Sequence, residues 1–186
     1  MNNGRRVVIT GLGVISPVGN DIATFWDSLK SGRCGIGQLT GMDLHGLPIH
    51  VAGNIKDFDP SAFGLSGADK RRNDLYSQYA LAAASQVMKS SGLVSGENIE
   101  PERFGVYAGT GIGGMNTFVS QTKVLLEEGA DRISPLFIPM MIPNIAGGNI
   151  AIKYNAQGPC LTHVSACATS TNSIGEAYLA VSYGRA

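Results

Sequence analysis

This sequence has no excess of positive or of negative charge. Fourteen lysines and arginines balance 14 aspartates and glutamates, and charged residues make up only 15% of 186 positions. The basic excess of a nucleic-acid binder is absent, so no nucleic-acid partner is expected. Cysteine is scarce and odd in number. Cys34, Cys160 and Cys167 cannot form a closed disulfide set, and a reducing compartment is the simpler reading. Long apolar runs are also lacking. The run after Arg5-Arg6 is broken by Gly11, Gly13 and Pro17. It is too short for a signal peptide and far too short for a membrane span. A cytoplasmic protein without membrane contact is expected.

Apolar residues, by contrast, make up 44% of the chain, and there are 25 glycines. That apolar share can bury a sizeable core and excludes disorder as the main state. The glycines do not recur at every third position, which excludes a collagen helix.

Val7-Val8-Ile9-Thr10 reads as a buried strand, β-branched and apolar on both faces. Asn20 and Asp21 are N-cap candidates for a helix with Ile22, Phe25, Trp26 and Leu29 on one face, ending near Gly32. Residues 32–67 have no sustained period and read as a surface loop with short strands. The alanine-rich stretch 79–88 predicts a closely packed helix that Gly92 ends. Residues 104–110 predict a second strand. Met115, Phe118, Thr122 and Leu125 mark a third helix, and three prolines keep 134–143 from being regular for long. Residues 144–154 predict a helix with glycine at its contacts, and 161–166 a third strand. Ile174, Ala177, Tyr178 and Val181 predict the last helix. Strands alternating with helices argue an α/β layered fold. Three strands under so many apolar helices lack partners, so the chain is expected to be the first part of a longer protein.

The segment 158–176, GPCLTHVSACATSTNSIGE, carries the clearest chemistry. An extended segment meets small residues, one thiol, more small residues, and then a helical pattern. This is the layout of a nucleophile on a sharp strand-to-helix turn. Small neighbours leave room for a substrate carbonyl. The start of a helix favours anions and offers free N–H groups to an oxyanion. A buried, inert thiol is the competing reading of Cys167. GTGIGG at 109–114 lacks the Lys-Ser/Thr ending of a phosphate-binding loop. It also lacks the acidic residue about twenty positions on that a dinucleotide loop needs, Asp131 being the only near candidate.

This segment resembles the active-site region of the β-ketoacyl-acyl carrier protein synthases, the condensing enzymes of fatty acid synthesis. RRVVITGLGVISPVG, GVYAGTGIGGM and RISPLFIPMMIPNIAG resemble further stretches of that family, in the family's order from Arg5 to Gly184. The type II elongating synthases are the nearest group. The resemblance implies that residues 1–186 form one N-terminal ketosynthase domain, truncated, with a thiolase-like fold and an incomplete sheet. It implies that Cys167 takes an acyl group from a thioester, which the carbanion of a decarboxylating malonyl thioester then attacks. Covalent capture splits one difficult bond formation into two easier steps. No cofactor and no metal are implied. The substrate rides on the phosphopantetheine of acyl carrier protein, which is the expected partner beside a second copy of the chain in a homodimer.

Other residues are carried over by position. Ile112 matches a residue that lines and gates the acyl pocket. Phe137 matches an aromatic at the dimer interface near that pocket. Ordinary core packing is the rival reading for both. Arg71 and Arg72 match basic positions that dock the carrier, with Lys70 their neighbour. The rival there is a solvated face partly neutralised by Asp69 and Asp74. The family's two catalytic histidines lie in HGT- and GH-type motifs that this chain lacks. His45 and His50 are expected at the surface and His163 in a structural role. Cys34 and Cys160 are expected to be structural. The competing functions are a polyketide ketosynthase, a degradative thiolase, a non-catalytic chain-length partner and a binding module without turnover.

Overall fold

The computed structural model describes residues 5–39, 46 and 48–186. Its first three helices begin where short acceptor side chains satisfy the first free N–H groups. Asp21 caps α1 (Ile22–Lys30) by accepting from Thr24 N at 2.8 Å and Thr24 Oγ1 at 2.7 Å. Those bonds hold its carboxyl below the usual range. Ser66 and Asp69 form a reciprocal capping box on α2 (Gly67–Arg72). Asp74 caps α3 (Leu75–Ser91), which stops where Gly92 turns left-handed at φ 67°. The short antiparallel pair β1 (Gly37–Gln38) and β2 (Val51–Ala52) lies in the irregular stretch between α1 and α2.

The centre of the fold is a parallel pair. β3 (Val106–Gly109) runs beside β4 (Cys160–His163), with Val106 opposite Cys160 and Gly109 opposite His163. A parallel pair needs a long crossover. Here it passes through α4 (Met115–Glu128), α5 (Phe137–Met141) and α6 (Ile145–Lys153). Helix α6 lies against the pair at buried Gly147, where an added Cβ would sit 3.3 Å from Ala108 Cβ and 3.5 Å from Thr162 Oγ1. Helix α3 packs behind α6. The remaining helix, α7 (Thr169–Ser182), packs against both β3 and β4. Leu81, Ala82, Val106, Ala146 and Ala180 are buried across these layers.

The face that α7 buries differs from the apolar face its sequence pattern marks. Thr169, Ser173 and Ala180 are buried, whereas Ile174 is 71% exposed and Tyr178 and Val181 also face outward. Small residues point inward because the helix comes too close for larger ones. A Cβ at Gly109 would overlap Thr169 Cγ2 and stand 2.7 Å from Ser173 Oγ. The apolar stripe of α1 is likewise exposed at Ile22, Trp26 and Leu29, while Ser28 is buried and donates to Val18 O at 2.7 Å.

The strand expected at Val7–Thr10 does not form. None of the described residues pairs with it, and Ile9 is 82% exposed. A two-faced apolar strand needs a ladder on its edges and cover on both faces. This segment has neither. Its continuation instead crosses α3 so closely that a Cβ at Gly13 would overlap Ala83 O. The Gln86 amide takes the place of one ladder rung: Nε2 donates to Val14 O at 3.0 Å, and Oε1 accepts from Val14 N at 3.3 Å. Among the described residues the central sheet therefore has two strands, not three.

The approach at Gly109 sets a direct test. Gly109→Ala must push α7 away from β3 and is expected to cost about 1–3 kcal/mol. Gly148→Ala, also in the layered region but with open space where its Cβ would go, should gain up to about 1 kcal/mol of helix propensity. Urea unfolding of the two variants reads both. Equal effects would mean that the helix is not held against the strand in this way.

Candidate active site

Parallel strands send their following loops to the same edge, and in α/β layers ligands bind beyond that carboxyl end. The loop 110–114 leaves β3 at Gly109, and the segment 164–168 leaves β4 at His163. The register that pairs Gly109 with His163 brings the GTGIGG loop and Cys167 to one edge.

After β4 the chain turns within a few residues. Ser165 has φ −144° and ψ 42°, and Ala166 adopts φ 49°, one of three non-glycine residues with positive φ among those described. Residues Ala166–Ala168 form one 3-10 turn and α7 starts at Thr169. Cys167 is exposed at the top of this turn. Its neighbours are alanines, so the thiol is approachable from solvent. No side chain caps α7, since its N-cap is Ala168. The turn is held by two side-chain bonds and one backbone bond. Ser165 N donates to Thr169 Oγ1 at 2.9 Å, Asn172 Nδ2 donates to Ser165 Oγ at 2.6 Å, and Ala168 N donates to Ser165 O at 3.0 Å.

On the other loop, glycine is required by contact. Gly113 has φ 89°, and a Cβ there would overlap Met141 O; one at Gly114 would overlap Met140 O. The loop is thereby pressed on α5, with Gly114 N donating to Met141 O at 2.9 Å. Between them lies an apolar cavity of about 220 Å³ lined by Ile112, Gly114, Met115, Phe118 and Met141. Phe137 reaches it indirectly, its ring 6.3 Å from that of Phe118. The N-cap of α4 is Gly114, which offers no side chain. Asp74 serves in its place: its Oδ2 accepts from Thr117 N at 2.7 Å and Thr117 Oγ1 at 2.6 Å. One buried carboxylate thus caps both α3 and α4, with two helix starts supplying the favourable field.

Residues 4–186 match the family described as beta-ketoacyl synthase, N-terminal domain. The chain belongs to the beta-ketoacyl synthases. Among curated relatives, a 3-oxoacyl-[acyl-carrier-protein] synthase 2 of Staphylococcus aureus is 43% identical over 186 residues, all of this chain and 44% of that protein. The protein of the same name from Synechocystis sp. is 41% identical over 182 residues, 98% of this chain and 43% of that one. The chain therefore spans less than half the length of these relatives. Among solved structures, the ishigamide ketosynthase/chain length factor superposes with a TM-score of 0.87 at 26% identity, covering 97% of this chain and 45% of that chain. A complex of a type II PKS acyl-carrier protein with its ketosynthase, bound to the hexaketide, gives 0.82 at 25% identity, covering 98% and 49%. The thiolase-like α/β fold expected from the sequence is the fold these neighbours share.

In this ketosynthase domain, Cys167 and Ile112 lie on loops at one strand edge, and Phe137 backs the cavity that Ile112 lines. The basic cluster lies elsewhere, in the last turn of α2. Lys70 is tied down, its Nζ 2.7 Å from Ser61 Oγ and 3.6 Å from Asp59 Oδ1. Arg71 and Arg72 are exposed. The neutralisation expected from Asp69 and Asp74 is slight. Asp69 is bonded first to Ser66, which with weaker attraction from Lys153 and Arg72 holds its carboxyl low. Asp74 is buried between α3 and α4.

His163 stacks on Tyr107, with ring centroids 6.5 Å apart, and its Nδ1 lies 3.4 Å from Ser173 Oγ. His50 is exposed. His45 lies outside the described residues. Cys34 and Cys160, expected as structural, are both exposed. Among the described residues no three His, Cys, Asp or Glu side chains converge as metal ligands, and no helix is long and apolar enough to cross a membrane. Sequence reasoning names Thr169 only as a small neighbour of Cys167, and it missed that residue's bond to Ser165, Asn172 and the double cap at Asp74. Only Asp74 left a signal, as an Asp directly before a helical run.

Proposed function

We propose that this chain carries the acyl-accepting centre of a 3-oxoacyl-[acyl-carrier-protein] synthase of fatty acid elongation. The observation that carries the reading is the exposed Cys167 on a tight strand-to-helix turn, at the same strand edge as an apolar cavity. The Cys167 thiolate attacks the carbonyl of an acyl thioester. The carbon–sulfur bond to the carrier breaks, the carrier thiol leaves with a proton, and the acyl group stays on Cys167. A malonyl thioester then loses carbon dioxide, and its carbanion attacks the acyl-cysteine, releasing the thiolate and a 3-oxoacyl thioester. The start of α7 offers a field that favours an anion, and the cavity at Ile112, Met115 and Phe118 suits an acyl tail. The histidines that the family uses for decarboxylation match none of the histidines here.

Fatty acid elongation is favoured over polyketide synthesis because the curated elongating synthases are 41–43% identical. The ketosynthase of a type II PKS is 25% identical. A chain-length partner without turnover is disfavoured by the cysteine itself. A cytoplasmic setting fits three free thiols. The reading includes a homodimer formed along β4 and the Phe137 segment. Leu161 and Val164 are exposed there, and among the described residues β4 pairs only with β3. A free strand edge of this kind calls for cover.

Incubation with an N-acetylcysteamine acyl thioester, followed by peptide mass mapping, tests the centre. The acyl group is expected on Cys167, with little on Cys34 or Cys160 and none in Cys167→Ser. Acylation of a folded chain at Cys34 or Cys160 in preference to Cys167 would overturn the reading.

Arg71 and Arg72 are the carrier-docking charges in this account, and Lys70 supports them by fixing the end of α2. A complex between an acyl-carrier protein and its ketosynthase is known for a structural neighbour. Docking charges act mainly on association and are screened by salt. Reversing both arginines to glutamate should raise the apparent KM for acyl transfer from acyl carrier protein, most strongly at low ionic strength. Transfer from the small thioester should be nearly unchanged. Equal loss with both donors would make the pair structural.

A further inference from the structure

We propose that Thr169, with Asn172 as its second support, is a positioning residue that holds Cys167 in its reactive presentation. The proposal rests on Cys167 being the acyl acceptor. The left-handed backbone at Ala166 (φ 49°) is unfavourable for a residue with a side chain. It persists only where its surroundings fix it. Here the residue before it is gripped at three atoms. Ser165 N donates to Thr169 Oγ1, Ser165 Oγ accepts from Asn172 Nδ2, and Ser165 O accepts from Ala168 N. The first of these bonds closes a ring over Ala166, Cys167 and Ala168, with the thiol-bearing residue at its centre.

Thr169 is suited to the task because it cannot move. It is 4% exposed, and its methyl Cγ2 occupies the space over Gly109 that a Cβ would need. With the methyl lodged there, rotation about its first side-chain bond is blocked, and Oγ1 is fixed where the Ser165 N–H meets it. Asn172, one turn further along α7, is exposed and acts from outside on the Ser165 hydroxyl. Losing the Oγ1 acceptor leaves Ser165 N–H without its partner and lets Ala166 relax toward ordinary backbone angles. Cys167 would then turn away from the start of α7.

Shape and hydrogen bonding are separated by two substitutions. Thr169→Val keeps the shape and removes the acceptor; Thr169→Ser keeps the acceptor and removes the methyl. The readout is the rate of iodoacetamide alkylation at Cys167 relative to Cys34 in the same chain, with acyl transfer from the small thioester measured in parallel. Thr169→Val is expected to lower the Cys167 to Cys34 ratio about tenfold, which is about 1.4 kcal/mol. Thr169→Ser should hold the ratio within about twofold, although it unfolds at lower urea. A residue that only packs gives the opposite order, with Val tolerated and Ser impaired, and that result overturns the proposal. Asn172→Ala, at an exposed position, should lower the ratio about threefold without unfolding the chain, and an unchanged ratio there removes Asn172 from the proposal. Should wild-type Cys167 alkylate normally but accept no acyl group, the proposed function fails, while the alkylation ratios still decide the role of Thr169.

Discussion

The close approach of α7 to β3 at Gly109 is the contact on which the rest of the structure depends. Without a Cβ at Gly109, Thr169 and Ser173 lie directly over the strand, and Ser173 Oγ donates to Ala108 O at 2.9 Å. On the opposite side α6 makes the same economy at Gly147. Two strands are thereby held between two helices whose closest approaches are made at glycines. Interior packing of this density transmits small displacements rather than absorbing them. The start of α7, and with it the turn that presents Cys167, takes its position from this contact.

The same economy explains what could and could not be seen in the sequence. Two helix ends were legible because capping is local: Asp21 and Gly92 lie where the chain pattern puts them. The faces of the helices were not. In α1 and α7 the spacing of Ile, Trp, Leu, Tyr and Val correctly marked a helix, yet the buried sides carry Ser28, Thr169, Ser173 and Ala180. Periodicity reports that a face is apolar, not which neighbour it meets. Val7–Thr10 shows the same gap for strands. Its composition is that of a buried strand, but a ladder requires a partner, and the described residues supply only the Gln86 amide near Val14.

The candidate site divides in a similar way. Cys167 was legible because a lone thiol among alanine, serine and threonine between a strand and a helix has a local mechanism. Ile112 and Phe137 were placed by resemblance, and the cavity between the GTGIGG loop and α5 gives them a shared physical setting. Asp74 was read only as a neutralising neighbour of the arginines, because nothing local predicts a bond to Thr117, 43 residues on. The bonds of Thr169 and Asn172 to Ser165 were not legible for a different reason: Ser165 is close in sequence, but only the left-handed turn at Ala166 brings it to them.

The central claim is that Cys167 and the apolar cavity at Ile112, Met115, Phe118 and Met141 form one site. A medium-chain acyl thioester bearing a terminal diazirine tests it most directly. After transfer to Cys167 and photolysis, the account predicts cross-links to Met115, Phe118 or Met141 by peptide mass mapping. Cross-links confined to the outer face of α7, at Ile174 and Tyr178, would contradict it.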